Sequence, residues 1–221
     1  MNIYNKQIVN PLLSKGIQNV YSIKNVVNVY TSSDLPAVLL SDTTYIIHGE
    51  VTTANNILVA NQNTAIVGLN RDSDRLIYTG TGTFINVLDA DFFINNICFE
   101  ATDPASLVID ARNYTPASFN EGRTKVLHIT NSQFRNCYNV CDFEGFDLID
   151  IENTLFWYIK APTIGVRYLN TSKIEITSCE FIRWFDETTI PTPSGWSTAA
   201  MFEILPNGAG AGVGAVNISS S

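Results

Sequence analysis

From residue 44 onward, short apolar runs alternate with clusters of Asn, Asp, Gly, Ser and Thr. Runs of three to five residues bounded by turn formers are typical of β-strands, and helical periodicity is scarce in this region. The pattern therefore predicts an all-β chain with many turns. The predicted strands are Tyr45–His48, Ile57–Ala60, Ala65–Leu69, Leu76–Tyr78, Phe84–Leu88, Phe92–Ile94, Leu107–Ile109, Val126–Ile129, Leu148–Ile151, Lys173–Ile176 and Ala200–Ile204.

A six-residue motif, Ile-x-(Asn/Ser)-x-x-Phe, occurs four times and ends at Phe99, Phe134, Phe156 and Phe181. Its shortest step, of about 22 residues, accommodates three short strands and three turns, which is one coil of a parallel β-helix, and coils stack at roughly 4.8 Å. Longer steps indicate loops inserted at the turns. We therefore predict inward columns of Ile and Phe. We also predict an Asn column at a sharp bend, where a left-handed residue is needed and neighbouring amides can hydrogen-bond.

The composition agrees with a β-rich chain and excludes some classes of function. The 221 residues include 24 Ile, 23 Asn and 21 Thr, and 15% are charged, against roughly 25% in an average soluble domain. The net charge of −8 and the scattered basic residues argue against nucleic acid binding. Residues 1–6 lack the pattern of a signal peptide, and the glycine-rich stretch 204–221 is a poor membrane span. We expect no membrane insertion.

Cysteine and histidine offer little material for a metal or catalytic site. Cys98, Cys137, Cys141 and Cys179 show no CxxC pairing or zinc-finger spacing, so buried free thiols are the favoured interpretation. A disulfide between Cys137 and Cys141 is the alternative. The two histidines, His48 and His128, are far apart in the sequence. We expect no metal and no cofactor.

The repeat divides the chain into two parts. Residues 1–43 lack it, with Pro11 to Tyr30 allowing an amphipathic helix, and are predicted to be a cap or an anchoring segment. Residues 44–221 are predicted to form the β-helix domain, with insertions at 101–124 and 184–199. Ile218 matches Ile176, but the chain stops before the expected Phe. Either a partner completes this last coil, or the sequence is a piece of a longer protein.

Four segments together resemble the opening coils of pectin-lyase-like β-helix proteins. They are Ser33–Ala37, Thr44–Gly49, Ile66–Asn70 and Leu76–Gly82. The likeness is greatest to the versions found in tailed-phage virions, as tail spikes, tail fibres and head appendages, and it covers roughly residues 33–181. The resemblance implies right-handed coils, a homotrimer, attachment to host surface glycans and an N-terminal segment that docks into the virion. Synthesis in a host cytoplasm without a signal peptide agrees with release by lysis.

Aromatic and acidic side chains near the third and fourth repeats are candidate glycan-binding residues, because aromatic rings stack on sugars while acids bind hydroxyls. They are Trp157, Tyr158, Trp184, Asp186, Glu187 and Trp196. The alternative is that Trp184 and Trp196 pack the loop onto the β-helix or form a subunit interface. Within the four repeats no column holds two carboxylates, so acids that merely solvate outer faces are the favoured interpretation.

These observations lead to a structural, non-enzymatic virion protein as the first hypothesis: a trimeric right-handed parallel β-helix that contacts other virion proteins through residues 1–43. The second hypothesis is a polysaccharide depolymerase, a lyase or a glycoside hydrolase, with acids near the two insertions. The third is a bacterial carbohydrate-binding or adhesion module. Native mass separates the first from the others, and polysaccharide cleavage separates the second from the third.

Overall fold

The computed structural model describes residues 25–88, 90–111, 126–144, 146, 148–159, 164–167, 173–183, 202–205 and 215–219. These residues form twenty β-strands and one turn of 3-10 helix, Ser32–Asp34. Every strand pairing among them is parallel, and the strands fall into three sheets. From β2 onward the chain visits the three sheets in a fixed rotation, so each sheet receives every third strand. This arrangement is consistent with a β-helix-like solenoid.

Sheet 1 has eight strands, in the order β1 (Asn25–Val29), β2 (Thr43–Ile47), β5 (Thr64–Gly68), β8 (Phe92–Asn95), β11 (Val126–Thr130), β14 (Leu148–Glu152), β17 (Lys173–Thr177) and β20 (Ala215–Ser219). Sheet 2 has six strands, in the order β4 (Ile57–Val59), β7 (Gly82–Val87), β10 (Ser106–Ala111), β13 (Asn139–Glu144), β16 (Ile164–Arg167) and β19 (Phe202–Leu205). Sheet 3 also has six, in the order β3 (Glu50–Thr53), β6 (Arg75–Tyr78), β9 (Cys98–Ala101), β12 (Gln133–Arg135), β15 (Leu155–Ile159) and β18 (Glu180–Arg183).

Columns of identical apolar side chains fill the space between the sheets, as the repeat predicts. In sheet 1, register pairs align the isoleucines of five successive strands, which are Ile66, Ile94, Ile129, Ile151 and Ile176. In sheet 3, the four repeat phenylalanines stack face to face, with ring centroids 4.7 to 5.3 Å apart; they are Phe99, Phe134, Phe156 and Phe181. All of these except Phe181 are buried. Burial of such columns is the main driving force for stacking.

The repeated asparagine forms the bend between sheets 1 and 3, which confirms the prediction. Asn96, Asn131 and Asn153, with Ser178 at the same repeat position, have φ values between 46° and 55°. The side chain of Asn153 donates a hydrogen bond to the Oδ1 of Asn131 over 2.7 Å. Asparagine suits this place because it tolerates the left-handed region and its amide bonds to the next turn of the chain.

The sequence prediction failed where a strand carries polar residues on its outer side. Asn25–Val29 is strand β1, paired with β2, so the helix considered for residues 11–30 does not extend over these residues. The alternation Val-x-Val around Asn28 suits a strand, because β-branched residues favour extended structure. Strand β10, Ser106–Ala111, lies within the predicted insertion 101–124 and confirms the strand predicted at Leu107–Ile109. Residues 1–24, 112–125 and 184–199 lie outside the described residues, and the proposed domain boundary stays a prediction.

Candidate functional site

The candidate site is the outer face of sheet 3, the face that bears Trp157. The inner sides of β9, β12, β15 and β18 carry the repeat phenylalanine, so the residue after it points outward. Register pairs align these following residues in one row, in the order Glu100, Arg135 and Trp157. The same position is therefore filled by an acid, a base and an aromatic ring on successive strands. All three side chains are partly buried, so neighbouring side chains cover part of their surface and water reaches the rest.

Arg135 lies over the indole ring of Trp157, with its guanidinium carbon 5.2 Å from the ring centroid. A cation in this position is attracted by the negative face of the ring, and such contacts contribute about 0.5–1 kcal/mol at exposed sites. The contact holds the plane of Trp157 in a fixed orientation, but it also covers part of one ring face with a guanidinium group. Trp157 thus packs against a side chain of its own sheet and keeps part of its surface exposed.

Charges of alternating sign continue this surface towards the first strands. Arg75 Nη1 lies 3.1 Å from Glu50 Oε1 and 3.5 Å from Glu100 Oε1, so one guanidinium bridges acids on both neighbouring strands. Cross-strand pairs of opposite charge stabilise a parallel register modestly, by about 0.2–1 kcal/mol. Together with Arg135 and Trp157 they form a strip of ionic and aromatic groups along the stack. This strip offers hydrogen-bond donors, acceptors and one ring, which is the chemistry that recognises a polar, ring-shaped ligand.

Only part of the predicted glycan-binding set can be placed. Trp157 lies on the outer strip, and Tyr158 follows it in β15. Trp184, Asp186, Glu187 and Trp196 lie outside the residues that the structure describes. Sequence reasoning missed Glu100 and Arg135, although a signal was present. The position after the repeat Phe reads Glu, Arg, Trp and Ile in the four copies, and period-two alternation places it on the outer face.

Two carboxylate pairs also occur, both outside the positions that the four repeat motifs cover. Asp110 and Asp142 are register partners in sheet 2, and Asp150 and Glu175 are register partners in sheet 1. Asp150 and Glu175 lie about one coil apart in the sequence and fall outside the motif comparison, because both stand one residue before the isoleucine that begins the motif. Asp150 Oδ2 lies 3.0 Å from His128 Nδ1 of the preceding strand.

The thiols form no reactive site in the described part of the chain. All four cysteines are free, as favoured over a Cys137–Cys141 disulfide. Burial raises the pKa of the Cys98 thiol to about 12 and raises the pKa values of Cys137, Cys141 and Cys179 as well. Because the thiolate is the nucleophile and the metal ligand, protonated buried thiols are inert at neutral pH.

Comparison with protein-family models, with curated proteins and with solved structures finds no significant match. The class of protein is therefore defined by its architecture alone: an all-β chain of stacked parallel sheets, consistent with a β-helix-like solenoid. Within the described ranges, no three His, Cys, Asp or Glu side chains are grouped to hold a metal ion. No helix in those ranges is long and apolar enough to cross a membrane.

Proposed function

We propose that this protein is a structural component of a tailed-phage particle, a tail spike, tail fibre or head appendage that presents a right-handed parallel β-helix to glycans of the host surface. In this proposal the basic coil is the short repeat step of the sequence, and the assembly is a homotrimer. Residues 1–43 contact other virion proteins. The protein is then made in the host cytoplasm and resides in the virion.

The supporting observation is that the two sides of sheet 3 differ: the inner side is apolar and the outer side carries charged and aromatic groups. Its inner side is a continuous stack of phenylalanines, whose contact along the axis favours a stiff rod. Its outer side carries the strip of Glu50, Arg75, Glu100, Arg135 and Trp157. A rod that holds polar and aromatic groups at strand spacing suits adhesion to a repeating polysaccharide, which presents its own groups at regular intervals.

Native mass is the test of this proposal. Sedimentation equilibrium of the full chain is expected to give three times the chain mass of 24.4 kDa. The control is the same measurement at several protein concentrations, because a stable trimer keeps its mass on dilution. A chain that sediments at 24.4 kDa throughout would contradict a trimeric virion appendage and would favour a carbohydrate-binding or adhesion module.

A polysaccharide depolymerase is the second candidate, and Asp110 and Asp142 are the observation that favours it. They are register partners on neighbouring strands, about 4.8 Å apart along the stack, and retaining glycosidases hold two carboxyl groups about 5–5.5 Å apart. Release of reducing ends from bacterial capsular polysaccharide tests this candidate. Asp110→Asn and Asp142→Asn should each abolish release, whereas Asp72→Asn, at an exposed acid outside the strip and outside any carboxylate pair, should not. Absence of release by the wild-type chain excludes this candidate.

A further inference from the structure

The bend that follows β1, β2 and β5 carries a row of three residues, Tyr30, His48 and Leu69, which we call the corner stripe; Tyr30 and Leu69 are exposed and His48 is half-buried. Val29 pairs with Ile47 and Ile47 with Gly68, so the next residue of each strand falls in one row. His48 N–H donates to the carbonyl of Val29 over 3.0 Å, which extends the pairing to the stripe itself. Tyr30 is 61% and Leu69 45% exposed. From β8 onward a left-handed Asn or Ser is in register with Gly68, and the residues that follow the three asparagines, Ile97, Ser132 and Thr154, are buried. The exposed stripe is therefore confined to the first three strands of sheet 1.

Aromatic stacking fixes the central part of the corner stripe. The rings of Tyr30 and His48 stack with centroids 4.5 Å apart and planes inclined by 12°. His48 Nε2 lies 2.9 Å from Asn28 Oδ1, which sets the plane of the imidazole. One face of the Tyr30 ring is therefore occupied by His48, and the exposure of the side chain lies largely on the other face. The ring is a platform held in place before any ligand arrives.

Two carboxylates hold the backbone at both ends of the corner stripe. Asp34 Oδ2 accepts hydrogen bonds from the N–H groups of Tyr30 and Thr31, at 3.0 and 2.9 Å. Asp74, which is buried, accepts from the N–H groups of Gly49 and Leu69, at 2.9 and 2.6 Å. Charge-assisted bonds of this kind are stronger than neutral ones. A platform fixed in advance loses little conformational entropy when it binds a ligand.

From these contacts we infer that the corner stripe binds a sugar ring of a host-surface glycan, with the apolar face of the ring stacked on Tyr30. A donor and an acceptor for hydroxyl groups border the platform. Asn28 Nδ2 is a donor, and His48 Nδ1 is an acceptor in the tautomer whose Nε2–H donates to Asn28 Oδ1; among the described residues neither atom has a hydrogen-bond partner. The exposed apolar area is on the order of 200–300 Å², far below the roughly 800 Å² that each partner contributes to a standard protein interface. An area of this size fits one or two sugar rings better than a second copy of the chain.

This inference rests on the glycan-binding part of the proposed function and adds a second contact point to it. The strands β1 and β14 are five positions apart in sheet 1, and Trp157 lies in β15 directly after β14, so Tyr30 and Trp157 are separated by about 24 Å along the stack. A long polysaccharide can occupy both places at once, and the second contact then forms at a high effective concentration. Binding of short oligosaccharides reports on each place separately.

The experiment is an NMR titration of the full chain with four soluble oligosaccharide probes: maltopentaose, cellopentaose, mannopentaose and chitopentaose. We expect at least one probe to change the chemical shifts of the ring protons of Tyr30 and His48. Tyr30→Ala should lower the affinity for that probe roughly two- to tenfold, which is the factor expected for loss of one aromatic contact. Tyr30→Phe should leave the affinity unchanged. Leu40→Ala is the matched control, since Leu40 is 59% exposed and lies outside the stripe. Leu69→Ala replaces Tyr30→Ala if that variant fails to fold.

The outcomes separate this inference from the proposed function. If Tyr30→Ala leaves oligosaccharide binding intact and Trp157→Ala removes it, the proposal of sugar binding at the corner stripe is overturned. The proposal of glycan attachment is then still supported. Failure of all four probes at both places overturns the inference and counts against glycan attachment, while the trimeric mass remains a separate result. Self-association that maps to Tyr30 also overturns the inference, because the occupant is then a second copy.

Discussion

The phenylalanine stack of sheet 3 predicts how strongly a single side chain stabilises this solenoid. Phe134 is completely buried and stacks on two rings, Phe99 and Phe156, with both centroids 5.3 Å away. Replacing Phe134 with alanine removes both ring contacts and leaves a cavity that parallel strands on both sides cannot close. Buried Phe→Ala substitutions cost about 3–5 kcal/mol, and a residue with two stacked neighbours belongs at the upper end of that range.

Phe181 supplies the matched comparison, since it lies in the same column, is only partly buried and stacks on Phe156 alone among the described residues. We expect Phe181→Ala to cost roughly half as much as Phe134→Ala, about 2 kcal/mol. Urea unfolding followed by circular dichroism measures both, with the midpoint and slope reported separately. Leu40→Ala, on an exposed position, should change stability by less than about 0.5 kcal/mol. If Phe134→Ala lowers the free energy of unfolding no more than Phe181→Ala does, the stacked-column explanation is refuted.

Three further predictions concern the bend and the thiols. Asn153→Ala should cost about 2 kcal/mol by urea unfolding, because alanine tolerates the left-handed φ of 46° less well than asparagine and lacks the side-chain hydrogen bond; Asn153→Gly should recover the conformational part. Gly68→Ala should cost about 1–3 kcal/mol, because the new Cβ would overlap the carbonyl oxygen of Asn96; an unchanged midpoint contradicts this contact. Cys98 should react with a disulfide reagent at pH 8 roughly 10³-fold more slowly in the native than in the unfolded chain, since its pKa is about 12 rather than 9. The same pKa shift predicts that titration of this thiol leaves the free energy of unfolding unchanged below pH 9. As the pH rises from 9 towards 12, the free energy of unfolding decreases, because the thiol ionises more readily in the unfolded chain.

The repeat predicted the inside of the molecule well because inner positions obey one rule throughout. The column of Ile94, Ile129, Ile151 and Ile176 pairs residue for residue in sheet 1, and its spacing along the chain equals that of the repeat phenylalanines in sheet 3. Strands whose inner side is apolar and whose outer side is charged were missed when they lay outside the motif. Strand β3, with exposed Glu50 and Thr52, is an example.

The outer faces required the tertiary structure. Arg75 meets acids on the strands before and after its own, and Arg135 meets Trp157 on the following strand, although nothing in either local sequence marks these partners. Cross-strand partners depend on the length of each turn between strands, which varies from one circuit of the sheets to the next. The same holds for Asp110 and Asp142, which come together only because β10 and β13 are neighbours in sheet 2.

The amino-acid sequence by itself determined an all-β chain with inward Ile and Phe columns and left-handed asparagines at a repeated bend. The physical reason is that burial and backbone sterics act on each residue type in the same way wherever the repeat recurs. Only the tertiary structure decided which outer side chains meet, including the stacked rings of Tyr30 and His48, the strip that ends at Trp157 and the paired carboxylates. Those contacts arise from strand register, and register is a property of the whole stack rather than of any one segment.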